Sequence, residues 1–183
     1  MKSLWGLLVA VFIAVGLVIS AGQDLRAAGP AMEMPKGKEF VNKSPAFSFI
    51  YPQSYKGKPL EIPAEVLRVA SIIGLPAFVC TVSDAPKGVT LHTLPQVGLE
   101  GLRKDPRYAT KSGWKLESQK ETKLADGTPA VEYEIGWNWE PGLRFYTINL
   151  VTIKNGKIVD CSVTTTEAGD KTYKNYLYSL KLQ

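Results

Sequence analysis

Residues 131–140 carry the sequence VEYEIGWNWE, in which apolar and polar side chains alternate. Alternation over this length predicts a β-strand with one buried face, the face of Trp137. Pro141-Gly142 follows and has the residues that a tight reverse turn prefers at its two central positions. Pairing the strands across this turn places Trp137 opposite Tyr146, so that the apolar side chains of both strands share one face.

A second turn is predicted at Asn155-Gly156, a pair of residues typical of two-residue β-hairpins. The register that follows sets Ile148 opposite Val163 and Leu150 opposite Cys161. Both turns therefore predict the same buried side, and we expect the three strands that they join to form the centre of the fold.

Further strands and two helices are predicted around this three-stranded unit. The other strands cover residues 47–51, 65–70, 77–83 and 116–124, the last being polar and suited to a sheet edge. One helix is predicted after Thr93, with a capping box completed by Gln96, and another after Asp170. The pattern predicts an α+β domain with an antiparallel sheet of about six strands.

Composition limits the classes of function. A chain of 183 residues, 45% of them hydrophobic, can bury one ordinary core. One histidine and two cysteines exclude zinc fingers and His-rich metal sites, and the sequence has no cofactor-binding motif. The formal net charge of +5 is carried by sparse basic residues, so we expect no nucleic-acid partner and only a weak attraction to anionic membrane surfaces.

The first residues predict export. Residues 4–19 are an unbroken apolar block after a basic start, and small residues follow at 20–22. Residues 1–22 therefore form a cleaved signal peptide or an uncleaved anchor, and both alternatives place the folded part in the periplasm or outside the cell. Residues 23–45 have the composition of a linker, and residues 46–183 form the single folded domain.

The two cysteines are predicted to point into the core. Cys80 alternates in phase with Phe78 and Val82, and Cys161 with Val159 and Val163. An oxidising compartment allows a disulfide between them, whereas two separate buried thiols are the alternative. The sequence leaves both open because the order of the strands is not known.

Three motifs follow one another along the chain: Phe-Ser-Phe-Ile-Tyr-Pro at 47–52, Asp-Gly-Thr-Pro-Ala at 126–130, and the ending Tyr-Ser-Leu-Lys-Leu at 178–182. In this order they resemble motifs of PsbP-like proteins. The resemblance covers residues 46–183 and implies an antiparallel sheet with helices packed on its faces. It also implies accessory or binding roles rather than catalysis. The family includes a photosystem II subunit, a Ran-binding import factor and secreted bacterial proteins, so it names no partner for this chain.

The first functional hypothesis is a non-enzymatic, extracytoplasmic interaction domain whose partner is a protein of the envelope or the membrane. Trp139 and Arg144 are predicted to lie opposite each other, where a guanidinium over an indole would present a rigid anchor. The alternative is that this pair closes the end of the core. Phe145, predicted on the face opposite to Trp137, is a second contact candidate.

The second hypothesis is a protein that binds a small hydrophobic or aromatic ligand. Its site would be an aromatic cavity between sheet and helix near Trp114, Trp137 and Tyr146.

A hydrolase is the third hypothesis. Glu132 and Glu134 are expected on one solvated face of their strand, with Asp160 on the same side, and His92 lies in a loop. No nucleophile motif accompanies these residues, so we expect no catalytic site.

Overall fold

The computed structural model describes residues 34–183. The predicted export segment, residues 1–22, and the first part of the predicted linker lie outside the described residues. Of the linker segment, Lys38–Lys43 forms a β-strand, β1. This strand forms because it pairs with the next one, and Phe40 packs on Phe47 with the ring centroids 6.0 Å apart.

Ten strands and two helices follow one another along these residues. The strands after β1 are β2 (Ala46–Tyr51), β3 (Lys56–Gly57), β4 (Glu65–Ala70), β5 (Ala77–Asp84), β6 (Ser112–Lys123), β7 (Pro129–Glu140), β8 (Leu143–Lys154), β9 (Lys157–Thr165) and β10 (Lys181–Leu182). The helices are α1 (Leu94–Lys104) and α2 (Lys171–Leu177), and a 3-10 turn covers Pro106–Tyr108. Neither helix of residues 34–183 is long and apolar enough to cross a membrane.

The strands form two antiparallel sheets. The larger sheet has seven strands in the order β3-β4-β5-β9-β8-β7-β6, and the smaller one has the order β1-β2-β10. The predicted antiparallel sheet with helices is confirmed, but the expected number of about six strands was too low. The missed strands are β1, which lies in the segment of linker-like composition, and β3 and β10, which have only two residues each.

The register between β8 and β9 is as predicted, whereas that between β7 and β8 is not. Leu150 lies opposite Cys161, but Trp137 lies opposite Phe145 rather than Tyr146. The cause is a bulge at Trp139, because the pairing steps from Asn138 to Glu140 against adjacent residues of β8. Proline at the first turn position cannot take the positive φ that two-residue hairpins favour, and a bulge adds the missing strand twist.

The corrected register gives the seven-stranded sheet two buried faces instead of one. We call the side of Ile148 and Cys161 the disulfide face and the side of Trp137 the cavity face. The smaller sheet and α2 cover the disulfide face, with Phe49 and Leu177 in its core. The cavity face packs against α1.

The two cysteines meet on the disulfide face. Cys80 of β5 lies directly opposite Cys161 of β9, and their Cα atoms are 4.2 Å apart. They are joined by a disulfide and both are fully buried. The pairing of β5 with β9, which the sequence could not reveal, brings them together.

Both predicted helices are present, with one difference at a cap. Asp170 caps α2 by accepting from the backbone N–H of Thr172 at 2.9 Å. The capping box predicted for α1 does not form, because the Thr93 hydroxyl bonds to Thr90 instead. In α1, Gly98 faces the Tyr133 hydroxyl so closely that a Cβ would overlap it, which explains why a weak helix former occupies this position.

Candidate functional site

A cavity of about 690 Å³ lies between the cavity face of the large sheet and α1. The 3-10 turn and the turn between β4 and β5 complete its walls. This volume is in the range of small-molecule sites in proteins. The cavity is therefore large enough to hold a small-molecule ligand.

Aromatic rings form one wall of the cavity. Trp114 stacks on Trp137 with a centroid distance of 5.3 Å and 12° between the planes. Tyr108 and Phe145 meet Trp137 edge-on at 5.5 and 5.2 Å. Trp114 reaches this position because the strand pairing is irregular there, where Gly113 has a φ of +65° that side chains disfavour. The rings form an apolar wall suited to an aromatic ligand, which can pack on such rings stacked or edge-on.

Trp139 lies at the edge of this wall and is 44% exposed. The predicted contact with Arg144 does not form, because the bulge turns the two residues apart. Lys111 takes that place, with its Nζ 3.4 Å from the centroid of the indole ring. Arg144 instead pairs with Glu117 at 2.6 Å on the disulfide face, close above Gly136.

The floor of the cavity is a polar stripe across β8 and β9, and its hydroxyl and amide groups are satisfied. The Nε1–H of Trp137 donates to the Thr147 hydroxyl at 3.1 Å, and Thr147 is hydrogen-bonded in turn to Thr164. Asn149 donates to the Thr147 carbonyl, and Ser162 donates to the carbonyl of Val79. These bonds fix the shape of the floor before any ligand arrives.

Asp160 is the exception in this floor. Its Oδ1 is buried and has no hydrogen-bond partner among the described residues. The side chain lines the cavity between Thr81 of β5 and Val151 of β8. Burial raises the pKa of the Asp160 carboxyl to about 7, because the charged form is poorly solvated there. A ligand with a hydrogen-bond donor would satisfy this carboxyl group.

Charged residues line the rim opposite the aromatic wall, and they are all paired. Arg68 contacts Glu61 at 3.0 Å and also binds Glu65, while Arg107 binds Glu61 at 2.9 Å and Asp105 at 2.6 Å. Hydrogen bonds from Arg107 hold the pKa of Asp105 below its usual range. Three carboxylates face two guanidinium groups, so this rim has an excess of one negative charge.

Glu132 and Glu134 were predicted on a solvated face, and that prediction is wrong. Both are about 95% buried on the disulfide face, because α2 and the loop before it cover them. Glu132 accepts from the Tyr178 hydroxyl at 2.7 Å and pairs with Lys174 at 2.9 Å. Glu134 accepts from the backbone N–H of Gly169 at 3.0 Å. Both carboxylates attach the C-terminal segment to the sheet.

The residues proposed for a hydrolase do not converge. Asp160 lies on the cavity face, not on the side of Glu132 and Glu134 as expected. His92 is exposed in the turn before α1, which packs on the cavity face. Residues 34–183 hold no group of three or more His, Cys, Asp or Glu side chains arranged to bind a metal.

The predicted binding residues divide between the two faces. Trp137, Trp139 and Phe145 line the cavity, as does Trp114, whereas Arg144 and Tyr146 lie on the disulfide face. Sequence reasoning missed Asp160 as a cavity residue. A signal was present, because Asp160, Ser162 and Thr164 place polar groups at every second position of β9.

Sequence comparison finds no matching protein-family model and no matching curated protein. Comparison of the fold does find relatives. The solution structure of the cyanobacterial PsbP protein CyanoP from Synechocystis sp. PCC 6803 superposes with a TM-score of 0.58 at 16% identity, over 80% of this chain and 92% of that one. This chain has a PsbP-like fold.

Two further structures share the PsbP-like fold. The Ran-binding protein Mog1p of Saccharomyces cerevisiae has a TM-score of 0.54 at 11% identity, over 78% of this chain and 85% of that one. A Bacteroides thetaiotaomicron protein has a TM-score of 0.52 at 12% identity, over 81% of this chain and 49% of that one. At these identities the likeness establishes the fold and not the role.

Proposed function

We propose that this PsbP-like domain is a non-catalytic binding protein that holds a small aromatic molecule in the cavity. The observation that carries the proposal is the Oδ1 of Asp160, which is buried at the cavity floor with no partner among residues 34–183. An unpaired buried acceptor costs free energy that a ligand donor would recover. The stacked pair Trp114–Trp137 supplies the apolar surface for the rest of that ligand.

The charges favour a ligand that is neutral or cationic. The rim network of Arg68 and Arg107 with three carboxylates has one excess negative charge, and Asp160 adds another when it ionises. The ammonium group of Lys111 is already placed over Trp139. We expect an aromatic amine or alcohol to bind, with its polar group at Asp160, and an aromatic carboxylate to be disfavoured.

A binding role without catalysis is supported by how the acidic residues are used. Glu132 and Glu134 hold α2 and its preceding loop, and the acids of the rim are bound by arginines. Asp160 is then the one carboxyl group of the cavity without a protein partner among the described residues. A lone carboxyl group can fix the orientation of a ligand, whereas acid–base hydrolysis needs a second group beside it.

We place the domain outside the cytoplasm. The predicted export segment supports this location, and the disulfide between Cys80 and Cys161 is compatible with an oxidising compartment. The CyanoP and Mog1p structures share the fold and carry no information on the compartment of this chain.

A second candidate function is docking of an envelope or membrane-associated protein. The exposed ring of Trp139, held under Lys111, favours it, because exposed tryptophans with a fixed orientation are frequent anchors of protein interfaces. A photo-crosslinking group at position 139 that captures one envelope protein would support this function, and capture of none would remove it.

The ligand proposal is tested with three probes of one size and different charge. Naphthylmethylamine, naphthylmethanol and naphthoate are titrated into the protein in a calorimeter at neutral pH. We expect the amine and the alcohol to bind and the carboxylate to bind at least tenfold more weakly. Asp160→Asn should remove the preference for the amine over the carboxylate. No binding of any probe, or equal binding of all three, would contradict the proposal.

A further inference from the structure

Two isoleucines at the turn between β4 and β5 are almost completely exposed. Ile72 is 93% and Ile73 is 88% accessible to solvent. Isoleucine is among the residue types that are most often buried. Two adjacent isoleucines with this exposure therefore indicate a surface that contacts another molecule or a membrane.

The turn that carries them is closed by its own hydrogen bonds. The backbone N–H of Gly74 donates to the Ser71 carbonyl at 3.1 Å, and that of Ser71 donates to the Pro76 carbonyl at 3.2 Å. The Ser71 hydroxyl donates to the Leu75 carbonyl. These three bonds satisfy part of the polar groups of the turn, which lowers the desolvation cost of moving its tip into an apolar medium.

Other exposed apolar residues lie at the same end of the large sheet. Ala77, which follows the turn, pairs with Thr164, and Thr164 pairs with Thr147 near the start of β8. The turn between β7 and β8 therefore lies at this end too, and it carries the exposed Trp139 and Leu143. From β5 to β7 the distance is three strand spacings, roughly 14 Å.

The opposite end of the sheet differs. Its turns, at residues 126–127 and 155–156, consist of Asp-Gly and Asn-Gly. None of the large exposed apolar side chains of residues 34–183 belongs to these two turns. Four of the eight large exposed apolar side chains of residues 34–183, including the two most exposed, therefore lie at one end of the large sheet.

Lysines accompany the isoleucine tip. Lys56 of β3 pairs with Ala70 directly before the turn, and Lys58 donates its backbone N–H to the Arg68 carbonyl. Both lysines are exposed, and within residues 34–183 neither side chain makes an ion pair. The exposed acid Glu140 lies at the other turn, on the far side of β9 and β8. The nearby exposed acid Glu61 is paired with Arg68 at 3.0 Å, so Lys56 and Lys58 give the surroundings of the tip a net positive charge.

We propose that this end of the sheet docks on an anionic phospholipid bilayer. Ile72 and Ile73 insert between the acyl chains, Trp139 lies at the level of the headgroups, and Lys56 and Lys58 face the phosphates. Insertion of apolar side chains next to basic residues is the general mode of interfacial membrane binding, and tryptophan is enriched at that depth.

A bilayer fits these observations better than a protein surface does. The apolar contacts are two projecting turns separated by polar strand ends, rather than one continuous face. Stable protein interfaces bury about 1,200–2,000 Å² in a well-packed patch, which two tips of this kind do not provide. Vesicle docking through this end needs no ligand in the cavity, so this proposal and the ligand proposal fail independently.

The test reads out the position of the tip itself, because the full chain also contains the apolar segment 4–19. Ile73→Cys is labelled with a polarity-sensitive fluorophore in the full-length protein, where the native cysteines are protected by their disulfide. Val41→Cys, at a residue that is 54% exposed on β1, is the matched control. The vesicles consist of phosphatidylcholine with about one third phosphatidylglycerol, and a quencher is attached to the acyl chains.

We expect the label at residue 73 to be quenched and the label at residue 41 to stay in water. Lys56→Glu/Lys58→Glu should weaken the binding of the tip to the vesicles by roughly tenfold or more, because each lysine near an anionic surface contributes about a fivefold factor to the binding constant. The same reversal at the opposite end, Lys154→Glu/Lys157→Glu, should have little effect. Circular dichroism of each variant verifies that the fold is retained.

Three results would overturn the proposal. The first is a label at residue 73 that stays as accessible to aqueous iodide as the label at residue 41. The second is equal quenching in pure phosphatidylcholine, which would exclude the role of the lysines. The third is protection of residue 73 without vesicles that grows with protein concentration, which would assign the tip to a second copy of the chain.

Discussion

The indole rings of Trp114 and Trp137 lie parallel, 5.3 Å apart, although they come from strands whose pairing is irregular at this point. Gly113 in β6 and the bulge at Trp139 in β7 both distort this end of the sheet. The two distortions turn tryptophans from neighbouring strands toward one cavity. The apolar wall of the candidate site therefore depends on local departures from regular β-structure.

Replacement of the central ring should destabilise the domain. Trp137 is 4% exposed and contacts Trp114, Tyr108 and Phe145, so Trp137→Ala is expected to lower the free energy of unfolding by about 3–5 kcal/mol. Trp139→Ala, at an exposed ring two residues along the same strand, should cost less than about 1 kcal/mol. Urea unfolding followed by circular dichroism measures both. Equal losses of stability in the two variants would show that Trp137 is not packed among the other aromatic rings of the cavity wall.

Two glycines of α1 provide a matched pair. A Cβ at Gly98 would overlap the Tyr133 hydroxyl, whereas a Cβ at Gly101 meets nothing within 4 Å. Gly101→Ala should stabilise the protein by about 0.5–1 kcal/mol, because alanine is the better helix former. Gly98→Ala should destabilise it by about 1–3 kcal/mol, because the helix must move away from the sheet. Thermal unfolding of the two variants measures both effects. Stabilisation by both substitutions would contradict the close contact between Gly98 and the Tyr133 hydroxyl.

Asp160 should make stability depend on pH. Its pKa is about 7 in the folded protein against an ordinary value of 3.8. Between these pH values the folded state holds a proton that the unfolded chain has lost, so the free energy of unfolding falls as the pH rises and levels off above about pH 7. Asp160→Asn should remove a decrease on the order of 4 kcal/mol. The comparison is made by urea unfolding at several pH values, and parallel curves for the two proteins would contradict the burial of this carboxyl group.

The disulfide should contribute strongly to stability. It joins residues that are 81 positions apart in the chain, and closing a loop of this length restricts the unfolded chain by about 4–5 kcal/mol. Reduction in urea should therefore move the unfolding transition to a lower urea concentration. In the folded state both sulfur atoms are buried, so reduction should be slow. Alkylation of both thiols in the unfolded protein without reductant would show that the bond is absent.

The two hairpins show how far turn residues determine register. Asn155 and Gly156 both have positive φ values, of 52° and 73°, and the strands that they join pair without interruption, as predicted. At the other turn only Gly142 has a positive φ, and a bulge at Trp139 lies directly before the turn. The alternation in β7 could not reveal this, because both faces of that strand are buried and either register satisfies its apolar residues.

The candidate site was predictable only in part, for a related reason. Trp114 and Trp137 were expected beside an aromatic cavity between sheet and helix and do line it, whereas Tyr146, expected with them, lies on the disulfide face. The position of Asp160 depends on the contact of β9 with β5, whose residues lie about 80 positions away in the sequence. The alternation of Asp160, Ser162 and Thr164 in β9 indicated that they share one face, but which cavity that face lines depends on strand pairings across the whole fold.

The most direct test of the binding account is the pH dependence of affinity for naphthylmethylamine. Calorimetric titrations between about pH 5.5 and 8.5 compare the native protein with Asp160→Asn, since the amine stays charged over this range while Asp160 ionises. We expect the affinity for this amine to rise at least roughly tenfold through pH 7 in the native protein and to stay constant in the variant. The same profile in both proteins, or binding that weakens as Asp160 ionises, would contradict it.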